Sequence, residues 1–144
     1  MAGTQCVFCK IISGEIPADI VWQDHETVAF LDSHPVFRGH VLLCPREHYE
    51  TLLDLPPDLA GPMMNRTQAL AKAVETALEA DGTFIAVNNR VSQTVPHLHI
   101  HVIPRRRKDG LRGFFWPRQQ YADDASRGKI RDAIRQQAEK ILGA

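Results

Sequence analysis

The stretch His97-Leu98-His99-Ile100-His101-Val102-Ile103-Pro104 places three imidazoles within five positions, with apolar residues between them. On an extended strand, side chains alternate between faces. His97, His99 and His101 therefore share one face, and Leu98, Ile100 and Val102 the other. A lone histidine is ordinarily a hydrogen-bonded structural residue, whereas three in strict alternation point to chemistry on that face. One such chemistry is metal binding. Same-face neighbours, however, lie roughly 7 Å apart and the outer pair roughly 13 Å, against zinc–nitrogen bonds of about 2 Å. An adjacent pair can chelate an ion, but all three cannot without a bulge. The other chemistry is covalent: a neutral imidazole attacks phosphorus and divides one displacement into two. A second imidazole then binds or protonates the charged group beside it. Such a nucleophile needs an acceptor on its other ring nitrogen to fix the tautomer.

A second pair of reactive residues, Cys6-x-x-Cys9, has the spacing of half a zinc site or of a redox dithiol. Cys44 lies in the apolar run Val41–Cys44 and reads as core. Arg105, Arg106, Arg107, Lys108, Arg112 and Arg118 surround Phe114, Phe115 and Trp116. That interleaving fits a solvated turn, a segment near a substrate's phosphates, or nucleic-acid contact.

The elements that must position these residues are short. Cys9–Gly14 reads as a helical turn ended by Gly14 and the Ile16-Pro17 step. Ile20–Gln23, Thr27–Asp32 and His40–Pro45 read as strands, with Asp24-His25-Glu26 as a turn between the first two. Leu59, Met63, Leu70, Val74, Ala77 and Leu78 mark a helical stripe capped by Asp54 or Asp58, with Pro62 in its first turn and Gly82 as terminator. Thr83–Asn88 and Leu98–Ile103 read as strands joined through the loop 89–96. Ile130, Ala133, Ile134, Ala138, Ile141 and Leu142 give a closing helix over about 123–142. Hairpins dominate this order, which predicts an antiparallel sheet with helices packed on it, an α+β domain.

The 144 residues suit one domain, here 1–144, able to fold without disulfides. Seventeen Lys plus Arg balance seventeen Asp plus Glu, which argues against a globally basic nucleic-acid binder. No stretch reaches the ~18 apolar residues of a membrane span, and the opening lacks a signal-peptide profile. A cytoplasmic protein is expected, with no membrane partner and with its cysteines reduced or metal-bound.

His97-Leu-His-Ile-His-Val-Ile103 resembles the motif that names the histidine triad (HIT) family. Cys6-Val-Phe-Cys-Lys-Ile-Ile-Ser-Gly-Glu-Ile-Pro17 is similar to that family's opening. Val28-Ala-Phe-Leu-Asp32, Gly39-His-Val-Leu-Leu-Cys-Pro-Arg-Glu-His48 and Gln93-Thr-Val-Pro-His97 resemble its later blocks, in order. The likeness runs from Cys6 to Pro104. It implies a HIT-like α+β fold, with an antiparallel sheet of about five strands and two main helices. It also implies a homodimer that hydrolyses purine nucleoside monophosphate conjugates at the α-phosphate, releasing AMP or GMP. The conjugate is a phosphoramidate or a dinucleoside polyphosphate.

By this resemblance His99 is the nucleophile that forms a nucleotidyl-histidine. His101 contacts the phosphate or assists proton transfer, and histidine rather than glutamine at that position favours hydrolysis over transfer. His40 joins the phosphate-side network. Asp32 takes the ribose hydroxyls, as two acceptor oxygens suit. Asn88, Gln93 and Thr94 surround the phosphates, and Phe30, Leu31 and Leu42 wall the base. Some bacterial members complete a structural zinc site from residues matching Cys6, Cys9, His48 and His97. That leaves His99 and His101 for chemistry, with no catalytic metal required. Two other function classes fit the same residues: a nucleotide-binding regulatory protein with little turnover, and a metal-dependent enzyme built on a histidine pair.

Overall fold

Runs of β-branched and aromatic residues separated by turns produce five strands among the described residues: β1 (Ile20–Gln23), β2 (Thr27–Leu31), β3 (Val41–Pro45), β4 (Gly82–Ala86) and β5 (Ile100–Arg105). They form one antiparallel sheet in the order β1-β2-β3-β5-β4. Among the described residues the α-helices are α1 (Val7–Ile12), α2 (Pro57–Leu78) and α3 (Asp124–Leu142), an α+β composition. The computed structural model describes residues 5–111 and 118–143. Arg112, Phe114, Phe115 and Trp116 of the basic-aromatic stretch lie outside them. The chain divides into two compact units, Met1–Asp109 and Gly110–Ala144.

In the first unit both faces of the sheet are covered. Ala29, Val41, Leu43, Leu98, Ile100 and Val102 meet Met63, Leu70 and Val74 of α2. On the opposite face Val28, Phe30, Leu42 and Cys44 pack with Cys6 and Phe8, at the start of and within α1. β3 is thus apolar throughout because it is buried on both sides. Register follows from the same pattern. Leu42 pairs with Phe30 on one side and with His101 on the other, and His101 pairs with Ala86. A row across the α1 face therefore runs Phe30, Leu42, His101, Ala86, one residue out of step with the core row Ala29, Leu43, Ile100.

The turn between β1 and β2 is held by Asp24. Its Oδ1 accepts from the Glu26 and Thr27 N–H groups at 2.9 and 2.7 Å and from the Thr27 hydroxyl at 2.9 Å. Burial pushes this carboxyl up, but those donated bonds and the Arg66 charge outweigh it and hold the pKa at about 2. Arg66 of α2 reaches Asp24 at 2.6 Å and Glu26 at 2.7 Å, tying helix to hairpin.

Several boundaries differ from the sequence reading. Asp54 does not cap α2. Its Oδ2 accepts from the Thr51 N–H and hydroxyl, closing a 3-10 turn at Leu52–Asp54. α2 starts instead on Pro57, whose fixed φ suits a first helical position. Pro62 sits a turn further in than expected, inside the helix. Gly82 is not the terminator but the first residue of β4. α2 ends earlier because Glu79 takes a left-handed conformation at φ 50°, and the Arg106 guanidinium donates to the Leu78 and Glu79 carbonyls. α1 begins two residues before the expected turn, because Cys6 supplies its N-cap. β5 starts at Ile100, so His97, in a bend, and Leu98 and His99 precede the strand. The Leu98 N–H is satisfied there by the Tyr49 carbonyl at 2.6 Å.

In the second unit, α3 is capped by Asp123, whose Oδ1 accepts from the Ser126 N–H at 2.7 Å. No helix among the described residues is long and apolar enough to cross a membrane.

Gly39, at φ +95°, turns the chain into β3, and a Cβ there would collide with the Leu78 side chain. Gly39→Ala is expected to cost about 1–3 kcal/mol. Leu53→Ala, at a side chain 68% exposed, should cost less than about 0.5 kcal/mol. Urea unfolding of the two variants checks both values.

Candidate functional site

A cleft of about 870 Å³ opens on the α1 face of the sheet. Its floor is the row already described: Phe30, Leu42 and His101, with His99 beside them. One wall is Val7, Phe8 and Ile11 of α1, another is Ile16, Pro17 and Ala18, and Leu31, Asp32 and Thr94 stand at the rim. A cleft of several hundred cubic ångströms with apolar walls and few polar groups suits a small organic ligand.

Hydrogen-bond partners assign a tautomer to each buried imidazole. His99 Nδ1 lies 2.7 Å from the His97 carbonyl. A carbonyl only accepts, so Nδ1 carries the hydrogen and Nε2 keeps its lone pair. The Val36 N–H donates to His40 Nδ1 at 3.2 Å. His40 Nε2 must then carry hydrogen, and it donates to His101 Nδ1 at 2.9 Å. His101 is left with an N–H at Nε2. Asp32 Oδ2 stands 3.6 Å from His40 Nδ1, placed to compensate a proton arriving there. The His99 and His101 rings are 4.9 Å apart, centre to centre. One ring offers a lone pair and the next an N–H, the complementary pair that attack on a phosphoryl group requires.

Burial keeps these rings neutral. It holds the His40 and His99 pKa values below the usual histidine range, and Asp32 opposes the shift in each. His101 falls to about 4 through burial first, then through its neighbours His99 and His40.

His97 faces elsewhere. Its Nε2 bonds the Pro45 carbonyl at 2.9 Å, so Nδ1 presents a lone pair to Cys6 and Cys9, each sulfur 3.5 Å away. His48 Nδ1 lies 3.3 Å from Cys9 Sγ. The four ligand atoms of Cys6, Cys9, His48 and His97 lie within 4.8 Å of one another, a two-thiol, two-imidazole donor set suited to tetrahedral zinc.

The sequence profile of the HIT domain matches residues 13–108. The chain belongs to the HIT family. The uncharacterized HIT-like protein Rv1262c of Mycobacterium tuberculosis is 40% identical over 138 residues, covering 92% of this chain and 94% of that protein. Adenosine 5'-monophosphoramidase HNT1 of Candida albicans is 31% identical over 142 residues, covering 94% of this chain and 93% of its own. Among solved structures, a Zn-bound histidine triad family protein from Mycobacterium smegmatis superposes with a TM-score of 0.71 at 37% identity, covering 94% of this chain and 97% of that one.

Within this HIT domain the expected residues fall into separate groups. Phe30, Leu31, Asp32, Leu42, Thr94, His99 and His101 line the cleft, and His40 stands behind His101. Asn88 and Gln93 do not line it. The Gln93 amide accepts from the Arg90 N–H at 2.8 Å and donates to the Glu50 carbonyl at 2.6 Å, while Asn88 donates to the Ser92 carbonyl at 3.3 Å. Both hold the loop that carries Thr94. The sequence reading missed the α1 wall. Its signal was the helical spacing of Val7, Phe8 and Ile11 on the turn that also carries the CxxC pair. Of the basic stretch, Arg105 pairs with Asp109 at 2.6 Å and Arg106 caps α2.

His101 titrates well below the 6.5 of an unfolded histidine, so the unfolded chain binds more protons between those values. Its contribution to stability is complete above pH 6.5 and is lost as pH falls toward about 4. NMR titration of the ring should give a midpoint near 4, and urea midpoints should drop across the same window.

Proposed function

We propose that this HIT-family chain hydrolyses nucleoside monophosphate conjugates at the α-phosphate through a nucleotidyl-His99 intermediate, releasing AMP or GMP. The observation that carries this reading is the bond between His99 Nδ1 and the His97 carbonyl, which leaves Nε2 free to attack. In the first step Nε2 bonds to phosphorus and the bond to the leaving group breaks. The His101 N–H serves the phosphate oxygens or the departing atom. In the second step water attacks phosphorus, the phosphorus–Nε2 bond breaks, and AMP or GMP leaves as one water proton passes to solvent and His99 returns to its neutral form. Asp32 accepts from the ribose hydroxyls, Phe30, Leu31 and Leu42 hold the purine, Thr94 lies at the phosphates, and Asn88 and Gln93 position their loop. The monophosphoramidase activity in the name of the Candida albicans relative supports a phosphoramidate conjugate, with a dinucleoside polyphosphate as the competing substrate.

Cys6, Cys9, His48 and His97 fit a zinc ion, which would act structurally by clipping α1 onto the histidine segment. The catalytic pair His99 and His101 needs no metal. Pairing with a second copy and a cytoplasmic location, where Cys6, Cys9 and Cys44 stay reduced or metal-bound, complete the reading.

AMP release from adenosine 5'-phosphoramidate, with diadenosine polyphosphates in parallel, tests the mechanism. His99→Ala should lower kcat by about 10⁴-fold or more, and the faster substrate identifies the leaving group. AMP binding without turnover of any substrate would favour a regulatory nucleotide-binding protein. The metal assignment has its own test. Metal analysis should find zinc bound, and a chelator should lower Tm by about 5–10 °C, with kcat at saturating substrate changed less than about threefold.

A further inference from the structure

α1 has two working faces within six residues. One carries Cys9, with Cys6 just before it, toward His97 and His48. The other carries Val7, Phe8 and Ile11 into the cleft. Phe8 is the link between them. Its ring stands edge-on to His99 at 5.0 Å, to Phe30 at 5.3 Å and to His97 at 6.0 Å, centre to centre. A shift of α1 with its sulfurs would therefore move a wall of the cleft and the Phe8 ring that stands edge-on to His99.

We propose that Cys6 and Cys9 form a thiol switch on the cleft: their oxidation to a disulfide draws α1 away from His97 and His48, withdraws Phe8 from His99 and Phe30, and weakens nucleotide binding. The switch rests on the nucleotide reading given above. The two Sγ atoms lie within 4.8 Å of each other and of the two imidazole nitrogens, whereas a disulfide bond is about 2 Å long. Forming the bond pulls the sulfurs together and off the histidines, and it removes the thiolates that a metal ion needs. The oxidant is a small-molecule disulfide. Cys9 is half-buried and Cys6 only 1% exposed, so Cys9 attacks first and forms a mixed disulfide, expelling one reagent thiol. Cys6 then attacks Cys9 Sγ and expels the second thiol. Two electrons and two protons pass from the protein to the reagent, and any bound metal leaves as the free ion. Cys44 is fully buried in the core and stays out of the exchange.

The test uses the full chain incubated with glutathione disulfide, with three readouts. Peptide mass mapping should show a Cys6–Cys9 bridge and the loss of two hydrogens. NMR should show the cross-relaxation between the Phe8 and His99 ring protons disappear. Calorimetry should show the Kd for AMP rise about tenfold, with recovery on adding dithiothreitol. Phe8→Ala should show the same rise while reduced and no further rise when oxidised. Absence of the bridge overturns the proposal, as does a bridge that leaves the Phe8–His99 contact intact, or one that unfolds the whole chain by far-UV circular dichroism. If the reduced chain does not bind AMP, the nucleotide reading fails, and the Phe8–His99 contact still decides whether the dithiol controls the cleft.

Discussion

The bond from His99 Nδ1 to the carbonyl two residues before it decides what the histidine segment can do. Imidazole offers a donor and an acceptor, and which nitrogen plays which part is set from behind the ring. In this chain the partners behind each ring are mostly main chain: the His97 carbonyl for His99, the Pro45 carbonyl for His97 and the Val36 N–H for His40. Main-chain partners neither titrate nor rotate, so the lone pair of His99 and the N–H of His101 are fixed before any ligand arrives. Burial adds to this by favouring the neutral ring.

That arrangement needs backbone held in three places: Pro45 on β3, and the chain at Val36 and His97 that leads into β3 and β5. β3 lies between β2 and β5 and is apolar on both sides, so it is covered by α2 on one face and α1 on the other. The chain leading into β5 diverges from the sheet before Ile100, and this divergence divides the labour among the histidines. His101 is on the strand, His99 is at its entrance, and His97 has turned toward Cys6, Cys9 and His48. An ideal strand would have left His97 pointing into the same cleft as the other two.

The sequence revealed the strands to within about two residues at most ends, because alternation and continuous apolar runs carry that information locally. For the same reason it revealed that His99 and His101 share a face, but not that His97 turns away from them. The features it concealed depend on distant partners. Gly82 reads as a helix stop, but the stop is made by Glu79 with help from Arg106, whose sequence separation of 27 residues hides the contact. The main-chain partners of the Gln93 amide, at Arg90 and Glu50, were likewise not legible from its place in the chain. Phe8 lies between two cysteines that dominate the reading of that turn, and only the fold shows that its ring meets His99.

The one-residue offset between the row Phe30, Leu42, His101 and the row Ala29, Leu43, Ile100 has a consequence for folding fidelity. Strand side chains repeat every second residue, so a slip of one position between β3 and β5 would turn Ile100 and Val102 into the cleft and drive the imidazoles against α2. No partly correct pairing can preserve both the hydrophobic core and the histidine pair in the cleft. Mis-paired molecules would thus lose the hydrophobic core and the paired imidazoles at once, so core packing and an intact histidine pair rise and fall together.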